Sequence, residues 1–118
     1  MATHNDVGKE GEQIARKFLE NKGMTIVETN WRSRHLEIDI IATQNKYIHF
    51  IEVKTRTTLY FGYPEESISQ KKIRNLINAA EEYLNENAHW KRVQFDVIAI
   101  NIFNGEPVIF YIEDVYDF

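Results

Sequence analysis

Residues 36–56 of the chain, LEIDIIATQNKYIHFIEVKTR, contain the strongest indication of the fold. Residues 36–42 and 47–55 are two runs rich in isoleucine, valine and aromatic residues, the composition of β-strands. The polar residues Gln44, Asn45 and Lys46 between the runs are typical of a tight turn. The stretch therefore predicts an antiparallel hairpin. Its strongly apolar residues place the hairpin inside a sheet rather than at an edge.

The segments around the hairpin predict one α/β domain over residues 1–118. Before the hairpin, apolar residues recur at helical spacing over residues 6–21, Gly23 follows as a C-terminal cap, and residues 24–30 form a strand. After the hairpin, a second helix is expected to begin near Ser67, because Ser67 and Gln70 have the spacing of a capping box. Two further strands, 93–102 and 108–112, are joined by a turn at residues 104–105. The order α-β-β-β-α-β-β predicts a mixed sheet flanked by helices.

Charged residues interrupt both strands of the hairpin. Because side chains alternate along a strand, Glu37 and Asp39 are expected on one face of the first strand, with Ile38 and Ile40 together on the other. The same alternation puts Glu52 and Lys54 on one face of the second strand. Charges among strongly apolar neighbours are costly unless they are paired or bind a metal ion. The hairpin therefore contains candidate functional residues.

The chemistry that suits these charges is hydrolysis of a phosphodiester. Asp39 and Glu52 are expected to hold Mg²⁺, with Mn²⁺ as a substitute, and the Val53 carbonyl to add a third ligand, because hard cations take oxygen ligands. Lys54 would orient a water molecule or offset charge that develops on the phosphate. The pattern leaves a second interpretation open, in which Glu52 and Lys54, or Asp39 and Lys54, are ordinary ion pairs.

Composition and charge exclude several kinds of site and favour one kind of partner. The chain has no cysteine, which excludes disulfides, zinc–thiolate sites and cysteine nucleophiles. No segment approaches the ~20 apolar residues of a membrane span, and no secretory signal is apparent, so we expect a cytoplasmic protein without a membrane partner. The net charge is −4, but residues 30–75 hold eight Lys or Arg against five Asp or Glu. This basic segment favours an anionic partner.

Several other residues have two interpretations. Arg32, Arg34 and Arg56 could follow a phosphate backbone or could be solvated. Asp96 follows an aromatic residue within a strand, which favours a structural role. The aromatic residues of the 60–63 loop could stack on bases or cover the edge of the sheet.

An ordered set of short motifs resembles a known family. The set comprises GKEGE (8–12), Asn30 with Arg32, EIDIIA (37–42), FIEVKTR (50–56), Lys71 or Lys72, and FDV (95–97). With these motifs the chain resembles the YraN family, uncharacterised bacterial proteins expected to have the restriction-endonuclease-like fold and similar to archaeal Holliday junction resolvases. The sequence departs from the family pattern in having Leu36 before the acidic run and Gln94 before Phe95. Neither position is a candidate metal ligand.

The resemblance implies a nuclease core. It assigns the fold's acid–acid–lysine signature to Asp39, Glu52 and Lys54, and it adds Glu12 of the first helix to the catalytic and metal-binding residues. Lys71 corresponds to a polar position at a helix start, and we group it with Arg32 and Arg56 as candidate nucleic-acid-binding residues. The implied partner is nucleic acid, with DNA, including branched DNA, as the expected substrate. A homodimer is one possible assembly.

Two functional hypotheses follow. The first is a Mg²⁺-dependent endonuclease, favoured by the intact set of Asp39, Glu52 and Lys54. The second is a nucleic-acid-binding module that keeps the fold and turns over little or no substrate, favoured by the net acidity. A cleavage assay alongside a binding assay separates them.

Overall fold

The computed structural model describes residues 4–57 and 69–116. Its strands form one five-stranded sheet in the order β1-β2-β3-β4-β5, antiparallel throughout except for the parallel pair β3–β4. The predicted α/β fold, the mixed sheet and the order of elements are confirmed. The elements are α1 (His4–Asn21), β1 (Thr25–Ser33), β2 (Leu36–Gln44), β3 (Tyr47–Arg56), α2 (Gln70–Glu86), β4 (Arg92–Phe103) and β5 (Glu106–Ile112).

The sheet has a hydrophobic core on each face, and one helix covers each core. The α1-side core contains the buried residues Ala15, Leu19, Met24, Ile40, Ala42, Ile51, Ile98, Ile100 and Ile102. The α2-side core contains Ile38, Ile41, Ile48, Phe50, Leu76, Ala79, Ala80 and Tyr83. Strands β2 and β3 contribute to both cores, so the predicted hairpin is interior to the sheet. No helix in the described part of the chain is both long enough and apolar enough to cross a membrane.

The C-terminal end of α1 has the predicted glycine cap. Gly23 has a φ of 90°, in the left-handed region that glycine adopts without steric cost. Its N–H donates to Glu20 O at 2.9 Å, and Met24 N–H donates to Leu19 O at 3.0 Å. These two bonds form a Schellman motif and satisfy carbonyls that the end of the helix would otherwise leave unpaired.

The start of α2 differs from the prediction. Ser69 is the N-cap, and its hydroxyl accepts a hydrogen bond from Lys72 N–H at 3.1 Å. Gln70 is the first helical residue, so α2 begins later than the start predicted near Ser67. Ser67 and the aromatic loop at 60–63 lie outside the described residues.

Strands β1 and β2 change faces together at one position. Ile38 packs in the α2-side core and Ile40 in the α1-side core, so the prediction that they share a face is wrong. Between them lies Asp39, opposite Asn30 in the register; this is the one pair that the ladder omits between its neighbours on either side. Asn30 has a φ of 54°. Its left-handed backbone breaks the alternation of β1, and β2 follows it.

Asp96 is fully buried in the centre of β4 and accepts four hydrogen bonds. The donors are His49 Nδ1 at 2.8 Å, Tyr111 Oη at 2.6 Å, Gln94 Nε2 at 2.9 Å and the Asp114 N–H at 2.9 Å. Burial alone would raise the pKa of Asp96, but these donors outweigh it and hold the pKa below its usual value. The network joins β3, β4, β5 and the following residues, which agrees with the structural role expected for this residue.

Candidate functional site

The candidate site lies where two central strands separate. Strands β2 and β3 pair from Gln44–Tyr47 as far as Ile40–Ile51, and the next two opposed residues, Asp39 and Glu52, are no longer paired. A cleft of about 620 Å³ opens at this fork. It is lined by Val7, Gly8, Lys9, Glu12, Asn30, Arg32, Asp39, Glu52, Val53, Lys54, Thr55 and Lys72. The structure therefore brings the four predicted catalytic residues, from three different elements, to one surface.

Asp39 takes the place of a backbone partner at the fork. Its Oδ2 accepts a hydrogen bond from the Val53 N–H at 2.8 Å. Burial, and then the negative charge of Glu52, raise the pKa of Asp39 from 3.8 to about 7, although the Val53 N–H opposes the shift. The side chain is therefore positioned by β3, but its charge is poorly compensated.

Glu52 is the second carboxyl group at the fork that has a raised pKa. Burial raises the pKa of Glu52 above its usual value of 4.5. The positive charge of Lys72 opposes this shift more strongly than that of Lys54 does. Glu52 and Asp39 also line a second cavity of about 240 Å³ that extends towards α2. Asp39 and Glu52, which we call the acid pair, thus lie between the α1 side and the α2 side of the cleft.

Lys72 is the cleft residue that the sequence left as an alternative to Lys71. It lines both cavities, and its proximity lowers the pKa of Lys54. Lys71 was the one grouped with the candidate nucleic-acid-binding residues, and that role stays a prediction. The spacing favours Lys72 at the cleft, because Lys72 lies four residues before the buried Leu76 of α2. Lys71 lies four residues before the exposed Asn75.

Glu12 reaches the cleft because α1 packs closely against β3. Gly11 is buried, and a Cβ added there would overlap Thr55 Oγ1 and lie 2.9 Å from Thr55 Cβ. Only glycine permits this approach. Glu12 Oε2 then accepts a hydrogen bond from Asn30 Nδ2 at 3.2 Å. The left-handed Asn30 thus connects Glu12 to the strand pair that carries Asp39.

The three candidate nucleic-acid-binding residues have different positions. Arg32 lines the cleft and pairs with Glu37 at 3.3 Å, with 72% of the Arg32 side chain exposed. Arg56 lies at the end of β3 and does not line the cleft, although its charge helps to lower the pKa of Lys54. Lys71 is exposed and lines neither cavity. Of the three, the structure brings only Arg32 to the acid pair.

The carboxylate ligands that the cleft offers can be compared with those that Mg²⁺ usually takes. Among residues 4–57 and 69–116, no three His, Asp or Glu side chains are grouped closely enough to hold a metal ion. Mg²⁺ keeps several waters and is commonly bound through one or two carboxylates together with substrate phosphate. Asp39 and Glu52 fit that pattern, because burial and then repulsion by Glu52 raise the pKa of Asp39, and a divalent cation would supply the compensating charge. Glu12 lines the same cleft, but among the described residues it forms no three-residue group with Asp39 and Glu52 that could hold a metal ion.

Comparison with known proteins identifies relatives over almost the whole chain. A family model described as "Uncharacterised protein family UPF0102" matches residues 11–100. The chain is 42% identical over 118 residues to a UPF0102 protein of Rhodococcus opacus (strain B4). The aligned region covers 98% of this chain and 100% of the relative. It is 40% identical to a UPF0102 protein of Flavobacterium psychrophilum, with 98% of each chain covered. It is 45% identical to one of Persephonella marina, with 93% and 92% covered.

Proposed function

The chain belongs to the UPF0102 (YraN) family, whose function is uncharacterised, and we propose that it is a metal-dependent endonuclease that hydrolyses phosphodiesters in DNA. The observation that carries the proposal is the convergence of Asp39 and Glu52 at the fork between β2 and β3, beside two lysines. A purely structural ion pair would lower the pKa of each carboxyl group. Here the pKa of both is raised, which is typical of functional sites.

The proposal assigns a distinct role to each residue. Asp39 and Glu52 would bind the divalent cation, and the Val53 N–H fixes the orientation of Asp39. The chemistry that Mg²⁺ supplies at such a site is polarisation of the scissile phosphate and acidification of water. Lys54 would hold the attacking water and offset negative charge in the transition state. Glu12, fixed by Asn30, would orient solvent on the α1 side of the cleft.

The test compares metal binding with cleavage. We expect Lys54→Ala to reduce cleavage by at least about a hundredfold while Mn²⁺ binding persists, since lysine supplies no ligand and acts on the transition state. Asp39→Asn and Glu52→Gln should lose both. The measurements are calorimetric Mn²⁺ titration and cleavage of branched, flapped and single-stranded DNA in Mg²⁺ or Mn²⁺. Lys91→Ala is the control, because Lys91 is exposed and lines neither cavity. Cleavage by Lys54→Ala at the parent rate would refute the assigned site.

A second candidate function is a nucleic-acid-binding module that uses the same cleft with little or no turnover. The absence of a three-ligand acidic group among the described residues favours it. The same experiment decides between the two, because this module would bind DNA and cleave none of the substrates with either metal. The endonuclease requires metal-dependent cleavage that Asp39→Asn abolishes.

A further inference from the structure

Two lysines from distant parts of the chain meet at the α2 side of the cleft. Lys54 lies near the end of β3, and Lys72 lies in the first turn of α2. Both side chains line the same cleft, and the positive charge of Lys72 is close enough to lower the pKa of Lys54. Within residues 4–57 and 69–116, neither ammonium forms a salt bridge with a carboxylate. Two like charges close together repel each other, so this position favours an anion that can bind to both.

The fold fixes the backbone positions from which both lysines reach the cleft. Lys72 begins the stripe that continues with Leu76 and Ala79 in the α2-side core, so the packing of α2 fixes the position of its backbone. The Lys72 N–H is also held by the Ser69 cap at 3.1 Å. Lys54 is half-buried and shares its strand face with Glu52. Both lysines thereby line the cleft that contains Asp39 and Glu52.

The ligand chemistry follows from the charge of the two groups. Lysine ammonium groups act as point charges towards phosphate. An internal phosphodiester carries one negative charge, whereas a phosphomonoester, with a second pKa of about 6, carries nearly two at neutral pH. We propose that Lys54 and Lys72 form a subsite for a phosphomonoester dianion, the terminal phosphate of a DNA strand. The choice of DNA rests on the proposed function, whereas binding of the phosphate group does not require turnover.

The subsite would place a strand end beside the cleavage site. Lys72 acts on Glu52 through its charge and lines both cavities, so a phosphate between the two lysines would be adjacent to the acid pair. Hydrolysis of a diester leaves a new terminal phosphate, which has the charge that this subsite favours. The protein should therefore bind end-phosphorylated strands more tightly than unphosphorylated ones.

Binding without metal tests the subsite separately from catalysis. The probes are three single-stranded oligonucleotides of one sequence, with a 5′-phosphate, a 3′-phosphate or no terminal phosphate, each with its dye on the other end. Anisotropy is measured in EDTA at pH 7.5 and low salt. We expect the parent to bind at least one phosphorylated strand about five- to tenfold more tightly than the unphosphorylated strand. Lys72→Gln should bring this ratio close to one.

Lys71→Gln is the matched control, since it removes the same charge from the adjacent residue, which lines neither cavity. It should keep the parent's ratio. Because the readout is a ratio within one variant, partial unfolding does not mimic the effect, and Lys54→Gln should repeat the Lys72→Gln result. Equal binding of all three strands by the parent, or equal loss of preference in Lys71→Gln and Lys72→Gln, would overturn the proposal.

Competition distinguishes the sources of the phosphate. Displacement of the phosphorylated strand by inorganic phosphate at micromolar concentration would support a subsite for the free anion. Displacement only by a phosphorylated oligonucleotide would support the strand end. If the parent shows the preference but cleaves no DNA in Mg²⁺, the subsite stands and the endonuclease proposal fails.

Discussion

Asp39 is the residue at which the proposed metal binding and the stability of the metal-free protein oppose each other. Its side chain is held by the Val53 N–H but lies beside Glu52 in a partly buried cleft. The folded state therefore disfavours the carboxylate relative to the unfolded chain, where the pKa is ordinary. A divalent cation would remove this penalty, since it would supply the missing positive charge.

The raised pKa of Asp39 gives a stability prediction. Because the folded-state pKa is about 7 and the usual value is 3.8, the folded protein without metal loses stability as the pH rises through this window. Asp39→Asn removes the charge and keeps an acceptor for the Val53 N–H. Its advantage over the parent should be larger at pH 8 than at pH 5 by about 1–2 kcal/mol, after a discount for solvent in the open cleft.

Urea unfolding in EDTA at the two pH values measures this difference. Glu20→Gln, at an exposed position in α1, is the control and should leave the stability difference between the two pH values unchanged. An equal effect of Asp39→Asn at pH 5 and pH 8 would show that Asp39 has no raised pKa.

At the scale of elements, the approach of α1 to β3 depends on one glycine. A side chain at Gly11 would displace Thr55, whereas a Cβ at Gly8 has nothing within 4 Å. Gly11→Ala should destabilise the protein by about 1–3 kcal/mol through overpacking, partly offset by the higher helix propensity of alanine. Gly8→Ala, at an exposed helical position, should be neutral or stabilising by up to about 1 kcal/mol. Chemical denaturation of the two variants tests the contrast, and similar effects would mean that α1 lies further from β3.

The change of faces of β1 and β2 at Asn30 and Asp39 is a second feature at the scale of elements. Asparagine adopts the left-handed region more readily than most residues, so the positive φ at Asn30 costs little conformational free energy. Its side chain then donates to Glu12, while Asp39 faces the fork opposite Glu52. One backbone feature thus arranges carboxylates from α1 and β2 around the same cleft.

At the scale of the whole molecule, charge sets the affinity for nucleic acid that the proposed function predicts. The chain has a net charge of −4, and four cations line the cleft: Lys9, Arg32, Lys54 and Lys72. We expect modest, salt-dependent binding of duplex DNA. Since each neutralised phosphate contributes about −0.9 to the log–log slope, the slope should be no steeper than about −4. Titration at several salt concentrations measures it, and tight binding that is insensitive to salt would contradict the placement of DNA in this cleft.

Local sequence was sufficient for much of the fold. The hairpin followed from two β-rich runs around Asn45 and Lys46, both of which have positive φ values of 54° and 70° in the turn. The α1 cap followed from Gly23. The candidate site followed in part, because Asp39, Glu52 and Lys54 occupy adjacent strands and Glu12 was added through the family resemblance. These features depend on backbone sterics, alternation and neighbours within a few residues, which a sequence displays directly.

Only the tertiary structure decided which side chains share the cleft. Ser69 caps α2, Lys72 rather than Lys71 lines the cleft with Asp39 and Glu52, and Ile38 and Ile40 enter different cores. The reason is that each of these depends on contacts between elements far apart in the chain. The packing of α2 on the sheet selects one lysine, and the opposition of Asn30 to Asp39 redirects β2. Periodicity within one segment carries no information about either.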